Sequence, residues 1–526
     1  MLVAALVGAA CGTKGEGGAP EGVVGNAKVV SANGAPPAQK PLGPDQTAKE
    51  SGPTLGAVKM GVPIHEKPDP RSLQVGYLTL GAIVQRAEKP AAFDACKGGY
   101  YHVLPRGFVC LDEGATIEME HPILRAKLRG PDLTKPLPYS YAFVRAIAPR
   151  YYRLPAKSEQ FQYEMSLERN LRSHDRLKEK WNEIEVGSND VPLDARGIAV
   201  GPAPAAAPAL TDIEKFGGSG EGTVPWFFQG GRKLPNVSNF QVPDYAVITN
   251  RIKRHAGVAL IDAFPGENRD FALTTDLRLV PTSKLKPGRG STFHGIELDK
   301  TWAFPFAFVK KDDTYPYERE KRRFTKQKKR LAYGEAVRLS GESSGEGERR
   351  YVETRDGAWL RAADLAIVPK MSSLPSHAKG KTKWLDVSIL RQTLLLFEGD
   401  KPIYATLVST GKDGLGDPKK THSTPTGSFR IREKHVTTTM DSQMLGSEFE
   451  LNDVPWVQYF HSGYALHAAY WHTSYGRPRS HGCINLSPID ARRIFGWTDP
   501  PLPSGWHGVS VAEGPASEGT LVHVHP

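Results

Sequence analysis

Cysteine is rare in this sequence: its 526 residues include only four, Cys11, Cys96, Cys110 and Cys483. No two of them have the Cys-x-x-Cys spacing of structural zinc sites, and the His-Glu-x-x-His motif of zinc peptidases is absent. The familiar zinc motifs are therefore excluded. One zinc alternative stays open, because four ligands could come from His461, His467, His472, His481 and Cys483.

Charge is missing from the start of the chain, where an apolar run from Leu2 to Ala10 leads directly to Cys11. Such a run is typical of the hydrophobic region of an export signal. It resembles a bacterial lipoprotein signal, in which the cysteine is lipidated and becomes the new N-terminus. We therefore expect residues 1–11 to direct export to the periplasm or cell envelope, with Cys11 as the lipid anchor and no other contact with the membrane.

Aromatic residues are absent from Gly12 to Pro53, a stretch of mainly Gly, Ala, Pro, Lys and Glu. Such a segment cannot bury enough apolar surface to offset the entropy of the chain. We therefore expect residues 12–54 to be a disordered tether.

Acidic residues are outnumbered by basic ones, 57 against 68, and the net charge of +11 favours an anionic partner. The basic residues are spread along the chain without an aromatic-basic RNA motif, so cell-wall polymers or an anionic membrane surface fit better than nucleic acid. The length predicts three or four domains, and the 53 Gly and 42 Pro indicate many turns and linkers.

Short β-strands dominate the pattern of residues 55–370. Residues 55–115 and 305–369 share the order of a Gly-led strand, an aromatic-bearing strand and a short closing strand, which resembles bacterial SH3-like modules. We expect a mostly β, multi-domain chain with SH3-like modules at 55–135 and 305–370, β modules at 136–240 and 241–304, and a linker at 371–381. These modules bind wall glycan or peptide, or they are spacers.

The module at 136–240 has two interruptions. Residues 158–181 place apolar side chains at helical intervals, and Ser158 is a good N-cap, so a helix is predicted there. An Ala/Pro linker follows at 201–208. In the preceding module, Cys96 and Cys110 lie in one β-rich segment and are expected to pair in an oxidising compartment. Cys483 is then left as the unpaired, reactive cysteine.

The stretch from Tyr464 to Pro488 carries the chemistry. Cys483 is a nucleophile only as a thiolate, so it needs a base, and the histidines at 467, 472 and 481 are near in sequence. His467, sixteen residues earlier (483 − 467), fits best because it follows an alternating apolar run typical of a strand end. Gly482 lets the backbone approach a substrate, and the Cys483 amide, with a neighbour, can bind an oxyanion.

Residues Ser480–Asn485, with a histidine at this distance before them, resemble the signature of YkuD-type L,D-transpeptidases. The likeness covers about residues 382–511, and we place a β-rich catalytic domain at 382–526. It implies that Cys483 is the nucleophile, that His467 is the base, with its ring fixed by the backbone at Ala468, and that His481 and Gly482 complete the site.

Substrate contacts are predicted from the same stretch and from a segment before it. Ser480 and Asn485 belong to the motif, and Arg477 and Arg479 can pair with a substrate carboxylate. Residues 432–460 are rich in aromatics and suit a lid, with Trp456 and Tyr459 stacking on a peptide.

The resemblance implies a peptidoglycan L,D-transpeptidase that needs no metal or organic cofactor. Its acyl-enzyme would pass a stem peptide to an amine, crosslinking two diaminopimelates or attaching a protein to the wall. Two alternatives remain: a hydrolase that uses the same Cys and His, and a wall-binding scaffold without catalysis.

Overall fold

The computed structural model describes residues 42–182, 186–207, 210–219, 223–232, 237, 242–442, 449–511 and 519–526. The export signal, the Cys11 lipidation site and most of the predicted tether lie outside these ranges. Strands account for 36% of residues and helices for 13%, which confirms the mostly β fold class. Within the described ranges, we find no helix with the length and apolar character needed to cross a membrane.

The first unit holds seven short strands and a one-turn helix. Its strands form the three-stranded sheet β4-β1-β7 and the paired strands β3-β2-β6-β5. A disulfide joins Cys96 to Cys110, at the end of β6, and closes this unit. The elements are β1 (Thr54–Ala57), β2 (Val62–His65), β3 (Gln74–Leu78), β4 (Ile83–Gln85), β5 (Tyr100–His102), β6 (Phe108–Cys110), β7 (Ala115–Thr116) and α1 (Pro122–Arg125). The SH3-like resemblance of this unit stays a prediction.

Residues 136–304 pair as one unit, although the sequence suggested a boundary after residue 240. Its elements are β8 (Ser140–Val144), β9 (Ala148–Tyr151), α2 (Lys157–Tyr163), α3 (Leu167–Asn182), β10 (Ile248–Ile252), β11 (Gly257–Pro265), β12 (Asp270–Thr274), β13 (Leu279–Pro281), β14 (Leu285–Gly288) and β15 (Ile296–Glu297). Strand β8 pairs with β11 and β14, while β9 pairs with β10 and β13. The first two strands therefore need the later ones to complete their sheet.

The predicted helix at 158–181 is two helices, and a buried carboxylate explains the break. Glu164 leaves helical geometry at the end of α2, where it accepts a hydrogen bond from Tyr151 Oη (2.9 Å) and pairs with Arg269. Ser158 lies inside α2 and is not its cap. Instead the Glu159 carboxylate accepts the N–H of Ala156 at 2.9 Å.

The third unit is a seven-stranded sheet in the order β18-β17-β21-β20-β19-β16-β22. It contains β16 (Phe306–Val309), β17 (Tyr317–Glu320), β18 (Arg323–Lys326), β19 (Ala336–Ser344), β20 (Tyr351–Thr354), β21 (Trp359–Arg361) and β22 (Leu365–Val368). Eight exposed Lys and Arg side chains lie between Arg319 and Arg330, on and after the β17–β18 hairpin. The positive charge is therefore more concentrated than the sequence analysis suggested.

The C-terminal unit supplies a long hairpin of β27 and β28 and five strands of a six-stranded sheet in the order β15-β25-β24-β23-β32-β26, whose edge strand β15 comes from the second unit. Its elements are β23 (Lys383–Ser388), β24 (Thr393–Glu398), β25 (Lys401–Leu407), β26 (Gly427–Arg430), β27 (Glu433–Ser442), β28 (Phe449–His461), β29 (Tyr464–Ala468), β30 (Ile484–Leu486), α4 (Pro488–Trp497), β31 (Gly508–Ser510) and β32 (Leu521–His525). Helix α4 packs between the hairpin and the six-stranded sheet through buried apolar residues such as Ile494.

Strand pairing joins the upstream units to the C-terminal unit. A sixteen-stranded sheet includes strands of all but the third unit, because β11 pairs with β28 and β3 pairs with β31. The C-terminal unit is therefore joined to two upstream units by backbone hydrogen bonds between strands.

A buried carboxylate ties α4 to the six-stranded sheet. Asp490, in the first turn of the helix, accepts hydrogen bonds from Tyr404 Oη (2.5 Å), Thr406 Oγ1 (2.6 Å) and the Gly295 N–H (2.9 Å). Its own N–H donates to Ser487 Oγ at 3.0 Å, which caps the helix. The start of α4, directly after the catalytic motif, is thus fixed from two sides.

We expect Asp490→Ala to lower the free energy of unfolding by about 3 kcal/mol or more, because three buried donors lose their acceptor. Asp490→Asn should cost less, since the Thr406 hydroxyl can turn to accept from the new amide. Urea unfolding followed by tryptophan fluorescence measures both, with the exposed Lys401→Ala as control. A stability of Asp490→Ala equal to that of the unmodified protein would contradict this role.

Candidate active site

Two parallel strands place the predicted catalytic residues on one face. Strand β29 pairs with β30 in parallel, and His467 lies opposite Asn485. Cys483 precedes Asn485 by two residues, so strand alternation directs both side chains to the same side. His467, Cys483 and Asn485 are each at most 4% exposed. The strand predicted to end at His467 is β29, which continues one residue further.

A cavity of about 270 Å³ opens over this face. Its polar lining from the C-terminal unit consists of His467, His472, Arg479, Ser480, His481, Cys483 and Asn485. Its other lining residues are Phe143, His255, Met440, Leu451 and Trp471. Of the motif Ser480–Asn485, Gly482 and Ile484 are not among the lining residues.

The backbone orients the ring of His467. Its Nδ1 lies 3.1 Å from the carbonyl oxygen of Ala468, so Nδ1–H donates there and Nε2 remains as the acceptor. Burial lowers the pKa of His467 to about 4, although the bond to Ala468 opposes this shift. The ring is therefore neutral at neutral pH and able to take a proton. Trp471 stacks on it with ring centres 5.7 Å apart.

The Cys483 sulfur lies 4.0 Å from the carbonyl oxygen of Gly463. A disulfide sulfur cannot act as the acyl-accepting nucleophile, so the chemistry proposed below requires the reduced form of Cys483.

The loop before Cys483 is shaped by two contacts of Ser480. The Gly482 N–H donates to Ser480 Oγ at 3.0 Å, and this hydroxyl donates to the carbonyl oxygen of Cys483. The Gly482 amide is therefore engaged within the loop and is not the oxyanion donor. Gly482 has φ +121°, and a Cβ there would lie 2.4 Å from the ring of Tyr464. Glycine is required for both reasons.

His472 orients the side-chain amide of Asn485, a pairing that the sequence did not indicate. The Nδ1 of His472 accepts the Ser474 N–H at 3.3 Å, and its Nε2 lies 3.1 Å from the Asn485 amide. Burial, followed by Arg479 and His467, lowers the pKa of His472 to about 3, so the ring is neutral and carries its proton on Nε2.

The proton on His472 Nε2 decides which amide atom of Asn485 faces it. A half-turn of the amide exchanges its oxygen and nitrogen, so the hydrogen-bond network assigns them. The structure places Asn485 Nδ2 at 3.1 Å from Nε2, and because Nε2–H is a donor, the turned amide, whose oxygen accepts from it, is the consistent assignment. The remaining amide atom is buried and has no protein partner among the described residues, and it is then the NH₂ group. Asn485 therefore offers a donor to a carbonyl oxygen in the cavity.

His481 lines the other side of the cavity. Burial lowers its pKa to about 4, with smaller contributions from Lys412 and His422. Its ring meets that of His422 edge to face at 4.7 Å. His481 is therefore a neutral, packed side chain that borders the reacting atoms.

Two of the predicted peptide contacts lie elsewhere. Trp456 is buried in the core, where its Nε1–H donates to the Pro136 carbonyl at 2.6 Å and its ring packs on Phe495. Tyr459 is half-buried against the apolar cluster behind Cys483, and burial raises its pKa to about 12. Residues 443–448 of the predicted lid lie outside the described ranges.

The two arginines of the loop differ in position. Arg477 donates through Nε (3.3 Å) and Nη2 (3.0 Å) to the carbonyl oxygen of Lys310, which ties the loop to the third unit. Arg479 lines the cavity and donates to Ser474 Oγ at 3.3 Å. Only Arg479 is placed to meet a substrate carboxylate.

The zinc alternative lacks a ligand cluster. Within the described part of the chain, the one set of three possible ligands gathered closely enough is Cys96, Cys110 and Asp112, and two of these form the disulfide. The four histidines and Cys483 named from sequence do not form such a set.

Sequence analysis missed several lining residues. Trp471 lies between the predicted base and the motif, and its aromatic character was the available signal, while His472 was named only as an alternative base or zinc ligand. Met440 and Leu451 face each other across the β27–β28 hairpin. Phe143 and His255 come from the second unit, and no local pattern indicates that they reach the site.

The C-terminal segment also matches known proteins. Residues 382–524 match the family model described as the L,D-transpeptidase catalytic domain, YkuD. No curated protein matches the chain. Among solved structures, it is similar to an L,D-transpeptidase from Xylanimonas cellulosilytica at 22% identity, covering 30% of this chain and 64% of that one with a TM-score of 0.21.

Two further structures show the same kind of likeness. An L,D-transpeptidase from Stackebrandtia nassauensis shares 25% identity over 30% of this chain and 61% of that one, with a TM-score of 0.20. The catalytic domain of an E. faecium L,D-transpeptidase shares 21% over 28% of this chain and 98% of that one, with a TM-score of 0.21. This chain spans less than two thirds of the Xylanimonas and Stackebrandtia structures.

The family match covers about a quarter of the chain, and it includes β29, the motif Ser480–Asn485 and the residues that orient it. Residues 382–524 of this chain are therefore matched by the model of the YkuD L,D-transpeptidase catalytic domain, and the rest of the chain lies outside that match.

Proposed function

We propose that this protein is a peptidoglycan L,D-transpeptidase in which Cys483 carries the acyl group. The observation that carries the proposal is the shared cavity of Cys483 and His467, with the His467 ring held by Ala468 so that Nε2 can accept a proton. The substrate class comes from the YkuD family match, and the absence of carboxylates among the lining residues suits an anionic stem peptide.

Acylation uses groups that line the cavity. The reduced Cys483 passes its proton to His467 Nε2, and the sulfur bonds to a carbonyl carbon of the stem. The oxyanion accepts from the Asn485 NH₂ and the Cys483 amide. The bond to the terminal D-amino acid then breaks, and the leaving nitrogen takes the proton from His467.

Deacylation reverses these roles. An acceptor amine attacks the thioester while His467 takes its proton, and the sulfur leaves. The resemblance implies a side-chain amine of a second stem, which gives a diaminopimelate-diaminopimelate crosslink; a protein amine would attach that protein to the wall. The hydrolase alternative differs only in using water. The scaffold alternative gives no role to Cys483 and His467, although both line the same cavity.

Export to the periplasm or cell envelope, with lipidation of Cys11, is part of the same proposal, because the substrate lies there. The apolar run before Cys11 and the disulfide between Cys96 and Cys110 support it. The basic segment Arg319–Arg330 adds a surface suited to anionic wall polymers.

Product analysis tests the activity. The reduced protein is incubated with purified tetrapeptide stems, and the products are identified by mass spectrometry. We expect a dimer with the mass of two stems less one released D-amino acid. Tripeptide and free D-amino acid without dimer would establish the hydrolase instead, and unchanged stems would leave the scaffold alternative.

A further inference from the structure

Part of the catalytic cavity is built by the second unit, far from the family domain in sequence. Phe143 at the end of β8 and His255 in the turn between β10 and β11 both line the cavity that holds Cys483. They lie 340 and 228 residues before this cysteine (483 − 143 and 483 − 255). The upstream unit is therefore a wall of the site.

The turn that carries His255 has a fixed and unusual backbone. His255 has φ +73°, in the left-handed region that side chains other than glycine rarely adopt. Its N–H donates to the Val144 carbonyl at 2.7 Å, and the Val144 N–H donates to the Ala256 carbonyl at 2.9 Å. These bonds clamp the turn onto the end of β8 and hold His255, which is exposed, at the cavity.

This wall is also attached to the catalytic domain. Gly257 pairs with Leu451 across the β11–β28 junction, and a Cβ at Gly257 would lie 2.1 Å from Tyr470 Oη. The ring of Phe143 packs on Tyr470 at 5.5 Å. The Tyr141 hydroxyl donates to the Asp453 carbonyl at 2.7 Å. The position of the turn relative to Cys483 is thus set by packing and backbone pairing.

The charges around the cavity point to the kind of ligand. Among the described residues that line it there is no carboxylate, and Arg479 is the one Arg or Lys. In the turn of the second unit, Lys253 and Arg254 directly precede His255; both are exposed, and neither is itself a lining residue. A ligand group in this cavity therefore meets cations or hydrogen-bond donors from two walls, with apolar Phe143 and Leu451 beside them.

We propose that the turn Lys253–His255 and Phe143 form a subsite that binds a free carboxylate of the peptide substrate and the aliphatic chain next to it. This proposal rests on the proposed function for the identity of the peptide. His255 and Arg254 hold the carboxylate from the upstream wall, while Arg479 approaches it from the catalytic loop. The upstream unit then determines which peptides Cys483 receives.

Binding is measured apart from chemistry, on a Cys483→Ala background that cannot be acylated. Isothermal titration calorimetry gives the Kd of a stem tetrapeptide and of its carboxamide analogue. His255→Gly removes the ring and accepts the left-handed backbone without strain, so the fold is retained. The matched control is Lys321→Gly, which removes an exposed cation at another left-handed turn position, φ +55°, in the third unit.

We expect His255→Gly and Arg254→Ala each to raise the Kd of the free-acid peptide about tenfold, as for the loss of one charge-assisted hydrogen bond, and to change that of the carboxamide less than threefold. Lys321→Gly should change neither. Unchanged binding of the free acid by both variants, or an equal loss for both peptides, would overturn the subsite. If the Cys483→Ala protein does not bind the free-acid peptide at all, the subsite is also overturned. Turnover of stems by the unmodified protein separately decides the transpeptidase function.

Discussion

Replacement of Cys483 by alanine is expected to abolish acylation. Reduced, unmodified protein incubated with imipenem should gain the mass of one carbapenem, whereas Cys483→Ala should gain none, with a rate at least about 10⁴-fold lower. Imipenem is a suitable probe because its strained β-lactam carbonyl opens when a thiolate attacks it and remains on the sulfur as an acyl group. The physical reason is that Cys483 is the only nucleophilic sulfur lining the cavity.

Two controls make this measurement decisive. Lys401→Ala, an exposed residue on β25, should be acylated like the unmodified protein. Omission of reductant should lower the acylated fraction, because only the reduced thiol of Cys483 can attack the carbapenem. An adduct that persists on Cys483→Ala would show that another residue takes the acyl group, and the assignment of the nucleophile would fail.

The second large effect is expected for the base. His467→Gln should slow acylation by about 10²–10⁴-fold, since the thiol then loses the group that receives its proton. Glutamine keeps a polar side chain near the Ala468 carbonyl, so the fold is preserved. His435→Gln, a matched change on β27 at a residue that does not line the cavity, is expected to leave the rate within twofold. Equal rates for His467→Gln and the unmodified protein would contradict the role of His467.

The pH profile separates a base from a merely structural residue. Burial lowers the pKa of His467 to about 4, so the neutral, proton-accepting ring persists well below the ordinary value near 6.5. The acylation rate of the unmodified protein should therefore fall, through protonation of His467, only as the pH approaches about 4. The His467→Gln variant should not show this fall. Below about pH 6.5, His467 is protonated in the unfolded chain but not in the folded one, so the free energy of unfolding falls as the pH is lowered. Circular dichroism at each pH therefore checks that the protein is still folded.

Local patterns were sufficient for residues whose roles are set within one strand or one turn. The alternation Tyr464-Ala465-Leu466 predicted a strand leading to His467, and β29 is there. The six-residue motif at Ser480–Asn485 predicted the family, and the match at 382–524 confirms it. These features depend on short-range geometry, namely a period of two and a glycine that a tight loop requires.

Patterns failed where the partner of a side chain is distant in sequence. Trp456 has the composition of a lid residue, but its indole N–H finds the Pro136 carbonyl, 320 residues away, and it is buried in the core. Arg477 and Arg479 are indistinguishable locally, yet one bonds to Lys310 and the other lines the cavity. Burial and hydrogen bonding choose between such positions, and both depend on the packed chain.

The predicted domain boundaries show the same limit. Residues 136–240 looked like a separate module, but β8 and β9 have their neighbours among strands after residue 247. The predicted helix at 158–181 is interrupted because Glu164 pairs with Arg269, a residue 105 positions later. Periodicity does not contain this information.

The sequence by itself determined the mostly β class, the family of residues 382–524 and the identity of the Cys and His that we propose to react, because each is encoded by neighbouring residues. The tertiary structure alone decided the orientation of Asn485 by His472, the removal of Trp456 and Arg477 from the substrate contacts, and the contribution of Phe143 and His255 to the cavity. These depend on strand pairings between distant segments, above all β11 with β28, whose energy comes from burial and backbone hydrogen bonds formed only in the folded chain.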